Sequence, residues 1–425
     1  MTLESQPTRR GFLQQSSTWA ATGIGLPYFV PSSALAAPGR SGANDRIGVG
    51  FIGVGGRARQ LIDHLPDEGQ IVAICDVYRK RAEETNAEKK ANWPIYADYH
   101  ELLERPDVDA VVVATPDHGR VLPCIHACQA GKDIYAEKPL TLTIAEGRVL
   151  VNAVRKNNRV FQVGSQQRSM EMNRFACELV RTGGIGKLKV VKGVCYSGPK
   201  RYEGLPEEPV PEADNWDAWQ AQTEVRPFNN HLQFGWMQWR SYSGGEMTNW
   251  GAHGVDQIQW ALGMSQSGPI EIWPTSPGRN GKVRMKYKSG VEVHYELEQG
   301  PHGGGIFVGE DCKIEINRNK FTTNPKGFVQ NPPDPATAQL WEGPGWIARP
   351  HMQNWLDCIK TRERPNADVE IGHRSITVCH LANIARELGR RLRWNPEREE
   401  FLDDDQAGSM LDRPKRIGYE LPELV

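Results

Sequence analysis

The sequence predicts an α/β protein in two parts, a doubly wound parallel sheet over residues 41–165 and an α/β domain over 166–395 whose sheet is antiparallel or mixed. Three observations predict it. From Arg46 to Val163 short apolar runs alternate with amphipathic stretches, the pattern of strand–helix–strand units. The first apolar run ends in a glycine-rich turn. After Gln166 the texture changes to alternating strands joined by Trp-, Pro- and Gly-rich connections, and at 425 residues the chain exceeds what one hydrophobic core usually organises.

Residues 1–40 stand outside that fold. No charged residue lies between Arg10 and Arg40, and Thr8-Arg9-Arg10-Gly11-Phe12-Leu13-Gln14 fits a twin-arginine export signal. Ala34-Leu35-Ala36 supplies the small residues of a cleavage site, so a periplasmic or otherwise exported protein is expected. Pro27 and Pro31 interrupt a weakly apolar stretch of marginal length, which argues against stable membrane insertion. Lys+Arg total 51 against Asp+Glu 52, a formal net charge of -1, and no block of like charge is long enough to track a nucleic acid. The cysteines, Cys75, Cys124, Cys128, Cys177, Cys195, Cys312, Cys358 and Cys379, sit far apart in mostly apolar contexts, which predicts buried free thiols rather than disulfides or a metal site.

In the first domain the predicted strands are Ile47–Ile52, Ile71–Cys75, Ala110–Ala114, Ile134–Ala136 and Val160–Val163. Between them Tyr78–Ala91, Val121–Ala130 and Ile144–Asn157 carry apolar residues at helical spacing. In the second domain Lys187–Ser197, Lys282–Tyr287, Val291–Leu297 and Lys313–Ile316 read as strands, and His351–Thr361 and Ile371–Arg391 as helices. An irregular tail, 396–425, begins at Pro396.

The first strand runs into Gly53-Val54-Gly55-Gly56-Arg57-Ala58, a GxGxxA dinucleotide fingerprint set between a strand and a helix, which makes 41–165 a Rossmann domain. Gly53 permits the tight turn, Gly55 lets the backbone approach a pyrophosphate, and Ala58 lets the helix pack closely, with its N-terminus toward the anion. Asp76, at the end of the second strand, is placed to bind a ribose 2′-hydroxyl, which favours NAD. Arg79 and Lys80 stand where they could attract a 2′-phosphate, so NADP stays open. Thr115-Pro116-Asp117-His118 and Glu137-Lys138-Pro139 follow the next two apolar runs, at the carboxyl edge of the sheet where ligands of open α/β sheets bind.

These motifs, together with Gly244-Gly245 through His253, Asp256 and Trp260, resemble the Gfo/Idh/MocA family, that of glucose-fructose oxidoreductase and inositol dehydrogenase. The resemblance covers nearly all of the chain from Arg46, and the export signal, Asn215-Trp216-Asp217, Trp239-Arg240 and the stretch from Asn383 to Trp394 are similar to an exported bacterial branch. It implies a second domain built on a large open, mainly antiparallel sheet, often used to form a homo-oligomer, a dimer or tetramer. It also implies an active site in which the lysine of Glu-Lys-Pro pairs with an Asp and a His in a DxxxH arrangement. Carried across, the lysine is Lys138 and the histidine His253, while the Asp position falls on Asn249.

Oxidising a carbinol needs a base on the hydroxyl while hydride leaves the carbon. Lys138 beside a positively charged nicotinamide would have its ammonium form disfavoured and so accept or share that proton, and His253 could pass it to solvent. Neutral Asn249 can only orient the imidazole, and Asp256, three residues beyond His253 and on the same face of a helix, is placed to supply the missing charge. Trp216, Trp219, Trp236, Trp239, Trp250 and Trp260 are interleaved with His231, Gln233 and Arg240, a mixture suited to pyranose rings and equally to an aromatic core. Trp236 and Arg240 join Lys138, Asn249 and His253 as substrate-contact candidates.

The expected function is an NAD(P)-dependent oxidoreductase acting on a hydroxyl of a sugar, cyclitol or glycoside with a tightly held cofactor. Redox-assisted glycoside cleavage and a non-catalytic sugar-binding role are the alternatives.

Overall fold

In the computed structural model β1 (Ile47–Ile52) is buried along its whole length, as a central strand covered on both faces must be. The structure describes residues 46–334 and 348–423, so the export signal expected at 1–40 lies outside the described residues. After β1 come α1 (Gly56–Asp63), β2 (Gly69–Cys75), α2 (Arg79–Lys89), β3 (Ile95–Tyr96), β4 (Ala110–Val113), α3 (Val121–Gln129), β5 (Asp133–Ala136), α4 (Ile144–Lys156) and β6 (Phe161–Val163). The strands pair in the order β3-β2-β1-β4-β5-β6, every pair parallel, with the order reversing at β1/β4. That reversal opens a crevice at the carboxyl edge, between the turns after β1 and β4.

The second sheet follows α5 (Glu171–Arg181) and β7 (Val190–Val194). Its other elements are α6 (Gly251–Ala261), β8 (Glu271–Pro274), β9 (Val283–Lys286), β10 (Glu292–Leu297), β11 (Gly305–Val308), β12 (Lys313–Asn317), β13 (Lys320–Asn324), α7 (Ala348–Thr361), α8 (Val369–Leu388), β14 (Leu392–Asn395) and β15 (Glu400–Phe401). Among the described residues nine strands pair in the order β13-β12-β11-β7-β10-β9-β8-β14-β15. Of these strands only β10 and β7 run parallel, so the sheet is mixed and mainly antiparallel. Buried and half-buried residues alternate along β9, β10 and β12, so one face carries the core and the other stays open.

Two boundaries differ from the sequence reading. Helix α7, assigned by position to the second domain, returns to the first sheet, where Met352, Trp355 and Leu356 pack with Phe51, Tyr135 and Ile74. The tail after Pro396 is not all irregular: β15 extends the second sheet, and Arg413 reaches back to Glu146 and to the His118 carbonyl. Strands β3, β8, β11, β13, β14 and β15 are too short or too polar to stand out in the sequence. All eight cysteines are free thiols and all but Cys195 are buried. No helix among the described residues is long and apolar enough to cross a membrane.

Candidate active site

The turn after β1 is built around glycine for two separate reasons. Gly53 has φ +81°, and a Cβ there would lie 3.0 Å from the Thr115 amide nitrogen, so both conformation and space exclude a side chain. A Cβ on Gly55 or Gly56 would meet nothing within 4 Å, so the backbone there is open to a ligand. Gly55 caps α1 without a side-chain bond, which leaves the first amides of the helix facing that space, and Ala58 on its underside is fully buried. The space is a cavity of about 1130 Å³ walled by Gly53, Gly55, Asp76, Thr115, Pro116 and Lys138 among others. An open glycine cradle at a helix N-terminus, followed by a buried acid at the end of β2, fits a dinucleotide. Gly53, Gly55, Gly56 and Asp76 would hold it.

Asp76 is fixed by the turn itself: one carboxylate oxygen accepts from the Val54 amide and the other from the Tyr78 amide, each at 2.9 Å. Arg81 approaches it at 3.3 Å. Arg79 and Lys80 are exposed and line no part of the cavity; Arg79 pairs with Glu83 along α2. The cation beside the acid is Arg81, because α2 turns that position inward and Arg79 outward.

Arg57 donates to Glu137 at 2.9 Å, and Glu137 also accepts from Gln166 at 3.1 Å, so the pair ties the cradle to the turn after β5. Burial opposes the charge on Arg57, but Glu137 beside it raises its pKa on balance. His118 walls the cavity but is committed elsewhere, with Nε2 2.8 Å from the Trp219 carbonyl oxygen and its ring against Trp219 and Tyr242. Burial lowers its pKa to about 3, so it stays neutral. Asp117 beside it is buried, which raises its pKa to about 6 despite Arg120.

The Lys138 ammonium donates to Asn249 Oδ1 at 2.7 Å, and the Asn249 amide donates to Glu246 at 3.1 Å. Desolvation lowers the Lys138 pKa, with Glu137 and Asp117 opposing. Asn249 therefore orients the lysine rather than the histidine. His253 is buried, and its Nε2 lies 3.1 Å from Arg318 Nη2. A guanidinium only donates, so this imidazole nitrogen is the acceptor. Burial, then the charges of Lys138 and Arg318, hold the His253 pKa well below its ordinary value.

Two further expectations fail. Asp256 does not face His253: both its oxygens accept from Arg168, at 2.8 and 2.9 Å, and it also accepts from Ser375. Nearly all of α6 is buried, so a three-residue spacing along it does not single out a shared partner. Arg240 is not at this cavity; it pairs with Glu387 beside a separate one. Of the tryptophans, Trp236 and Trp219 line the nucleotide cavity, and Trp219 also stacks on Trp216 at 4.8 Å inside a small core. Sequence reasoning missed Arg81, Glu246 and Arg318. Glu246 sits one turn before Asn249 and was findable by helical spacing, while nothing local marks Arg318, which arrives on the turn between β12 and β13. Among the described residues no group of three or more His, Cys, Asp or Glu is arranged to hold a metal ion.

Residues 47–165 match the GFO_IDH_MocA model, an oxidoreductase family with an NAD-binding Rossmann fold, and residues 195–421 match that family's C-terminal alpha/beta domain. The inositol 2-dehydrogenase of Rubrobacter xylanophilus is 23% identical over 393 residues, covering 85% of this chain and 96% of the relative. With the inositol 2-dehydrogenase of Salmonella typhimurium, 27% identical, the match covers 39% of this chain and spans about half of the relative, 48%. Among solved structures, scyllo-inositol dehydrogenase from Lactobacillus casei with NAD(H) and scyllo-inositol superposes at a TM-score of 0.57 with 16% identity, over 82% of this chain and 99% of that one. At that identity the likeness is one of fold.

Proposed function

The chain belongs to the Gfo/Idh/MocA family of oxidoreductases, and from that premise we propose that it is a sugar or cyclitol dehydrogenase that uses NAD, with Lys138 at the point of proton transfer. One observation carries the reading: the Lys138 ammonium, its pKa lowered by burial, is aimed by Asn249 at 2.7 Å on the wall of the same cavity that holds the glycine cradle and Asp76. When bound, the dinucleotide supplies the hydride acceptor. The residues do the rest. Gly55 and Gly56 leave room for a pyrophosphate, Asp76 offers its oxygens to a ribose hydroxyl, and Lys138 holds or takes the substrate hydroxyl proton. Neutral His253, kept in one tautomer by Arg318, presents a polar edge that does not compete for that proton. The relatives' names, inositol 2-dehydrogenase and scyllo-inositol dehydrogenase, support a polyol substrate.

The test is Lys138→Ala. Turnover should fall by about 10²–10⁴-fold, the usual share of general acid–base catalysis, while NAD titrates unchanged. A fully active variant would remove Lys138 from the chemistry.

Export through the twin-arginine route, expected from Arg9 and Arg10, belongs to the same proposal and has a cofactor consequence. A protein carried out folded takes its nucleotide with it, and retention requires slow release. Nucleotide should survive prolonged dialysis, and added NAD should scarcely raise turnover. A protein that emerges empty and saturates normally with NAD would end the retention reading. Self-association as a dimer or tetramer is proposed through the open face of the second sheet, and sedimentation should show a species larger than 47.6 kDa.

A further inference from the structure

A second cavity, of about 910 Å³, shares no lining residue with the nucleotide cavity. It lies between α8, the turn after β7 and the segment Trp239–Gly244. Its lining is cationic beyond what its own acids answer. Lys200, Arg201, Arg240, Arg279 and Arg386 face Glu203 and Glu387. Arg201 and Arg240 both bond to the Glu387 carboxylate. Arg413 and Asp412, also on the wall, are already answered by Glu146 and Lys415.

Arg386 is the telling member. Only 5% exposed, it donates Nε to the Gly281 carbonyl at 2.7 Å, Nη2 to the Cys195 sulfur at 3.3 Å and Nη1 to Asn383 Oδ1 at 3.5 Å. Among the described residues no carboxylate lies within ion-pair distance of it. Arg279 donates only to the Gly198 carbonyl, at 3.2 Å, and it too has no acid among the described residues. A buried guanidinium without an anion is costly, and charges are normally buried in pairs. Trp239, half-buried, lines the same cavity, its Nε1 fixed on the His231 carbonyl at 3.1 Å.

We propose that this cavity binds an acidic saccharide, with its oxyanion on Arg386 and Arg279 and its ring against Trp239. Paired N–H donors match the two oxygens of a carboxylate, and an indole face suits the C–H face of a pyranose. The site is independent of the redox reading, because none of its residues lines the nucleotide cavity.

The experiment is calorimetric titration of the purified full chain at low ionic strength with D-glucuronate, inorganic phosphate and D-glucose. Glucuronate should bind at one site per chain, phosphate about tenfold more weakly, and glucose not measurably. Arg279→Gln, at an exposed position that folding tolerates, should weaken glucuronate about tenfold and leave NAD titration unchanged. Trp239→Ala should weaken glucuronate but not phosphate. The proposal is overturned if no oxyanion binds, if Arg279→Gln changes nothing, or if glucose binds as tightly as glucuronate. Phosphate binding as tightly as glucuronate, with Trp239→Ala silent, would overturn the saccharide.

Discussion

Two clusters of buried charge in this protein follow opposite rules. Between α4, α8 and the segment before β15, Arg148 bonds Glu370 and Glu399, each at 2.8 Å, Arg374 bonds the same two acids, and His373 closes on Glu399 at 2.7 Å. Here each acid has two cations. The ion pairs outweigh burial, lowering the Glu370 pKa to about 2 and pulling Glu399 further down. At the candidate active site Lys138, His253 and Arg318 gather with no side-chain ion pair among the described residues: Asn249 holds the lysine, and the histidine accepts from the arginine. There burial wins and the basic groups are made less basic. A compensated network holds two elements together, whereas an uncompensated one keeps a group ready to exchange a proton.

The sharpest way to break the comparison is Lys138→Ala. Beyond its cost in turnover, the variant should be at least as stable as the parent at pH 7, because it removes a charge that folding desolvates. The folded-state pKa of Lys138 lies below its unfolded value, so the penalty is full below the folded pKa and fades as pH rises toward about 10.4, the ordinary lysine value. Thermal unfolding at pH 7 and pH 10 should show the advantage shrinking. A large loss of stability at pH 7 would place Lys138 in the structural class.

Glu399→Gln attacks the other cluster. It leaves His373, Arg148 and Arg374 short of a partner and should cost about 3 kcal/mol at pH 7, the usual range for breaking a buried pair. Activity per folded molecule should be kept. Because the Glu370 and Glu399 pKa values are depressed, the stability they bring is present above about 4.3 and lost as pH falls toward 2. The variant's acid unfolding limb should be correspondingly flatter. An unchanged limb would deny the network its role.

Asp76→Ala should weaken NAD by about tenfold, the worth of one charge-assisted hydrogen bond, and NADP by less, since Arg81 is then released toward a 2′-phosphate. Equal losses would separate Asp76 from the ribose. The smallest effect is expected of Asn249→Asp. A carboxylate 2.7 Å from the ammonium should raise the Lys138 pKa and move the acidic limb of the pH–rate profile, where the lysine becomes a base, upward by about one unit. Movement of a limb belonging to His253 instead would contradict the geometry seen here.

How much of this was legible in the chain differs by distance along it. The β1 turn, with Gly53, Gly55 and Ala58, and the Asp76 position were readable because a strand, a tight turn and a helix fix their geometry within a few dozen residues. Lys138 was readable because the end of β5 falls on the edge where such sheets bind ligands. Helix phase already defeated the reading at Arg79, two positions from the Arg81 that faces Asp76. At Asp256 the spacing to His253 was correct and the partner wrong, since Arg168 and Ser375 come from other elements.

By itself, then, the sequence determined the strand–helix alternation, the nucleotide cradle, the lysine at the sheet edge and the unpaired state of scattered cysteines, because periodicity and turn chemistry act over short spans. Only the tertiary structure decided that α7 covers the first sheet, that Arg318 meets His253, that Arg240 leaves for a second cavity and that Arg386 is buried there with no acid among the described residues. An apolar stripe states that a helix will be covered but not by what. Which charges meet depends on strand order and register across nine paired strands, and those pairings join segments whose separation in sequence carries no local signal of their contact.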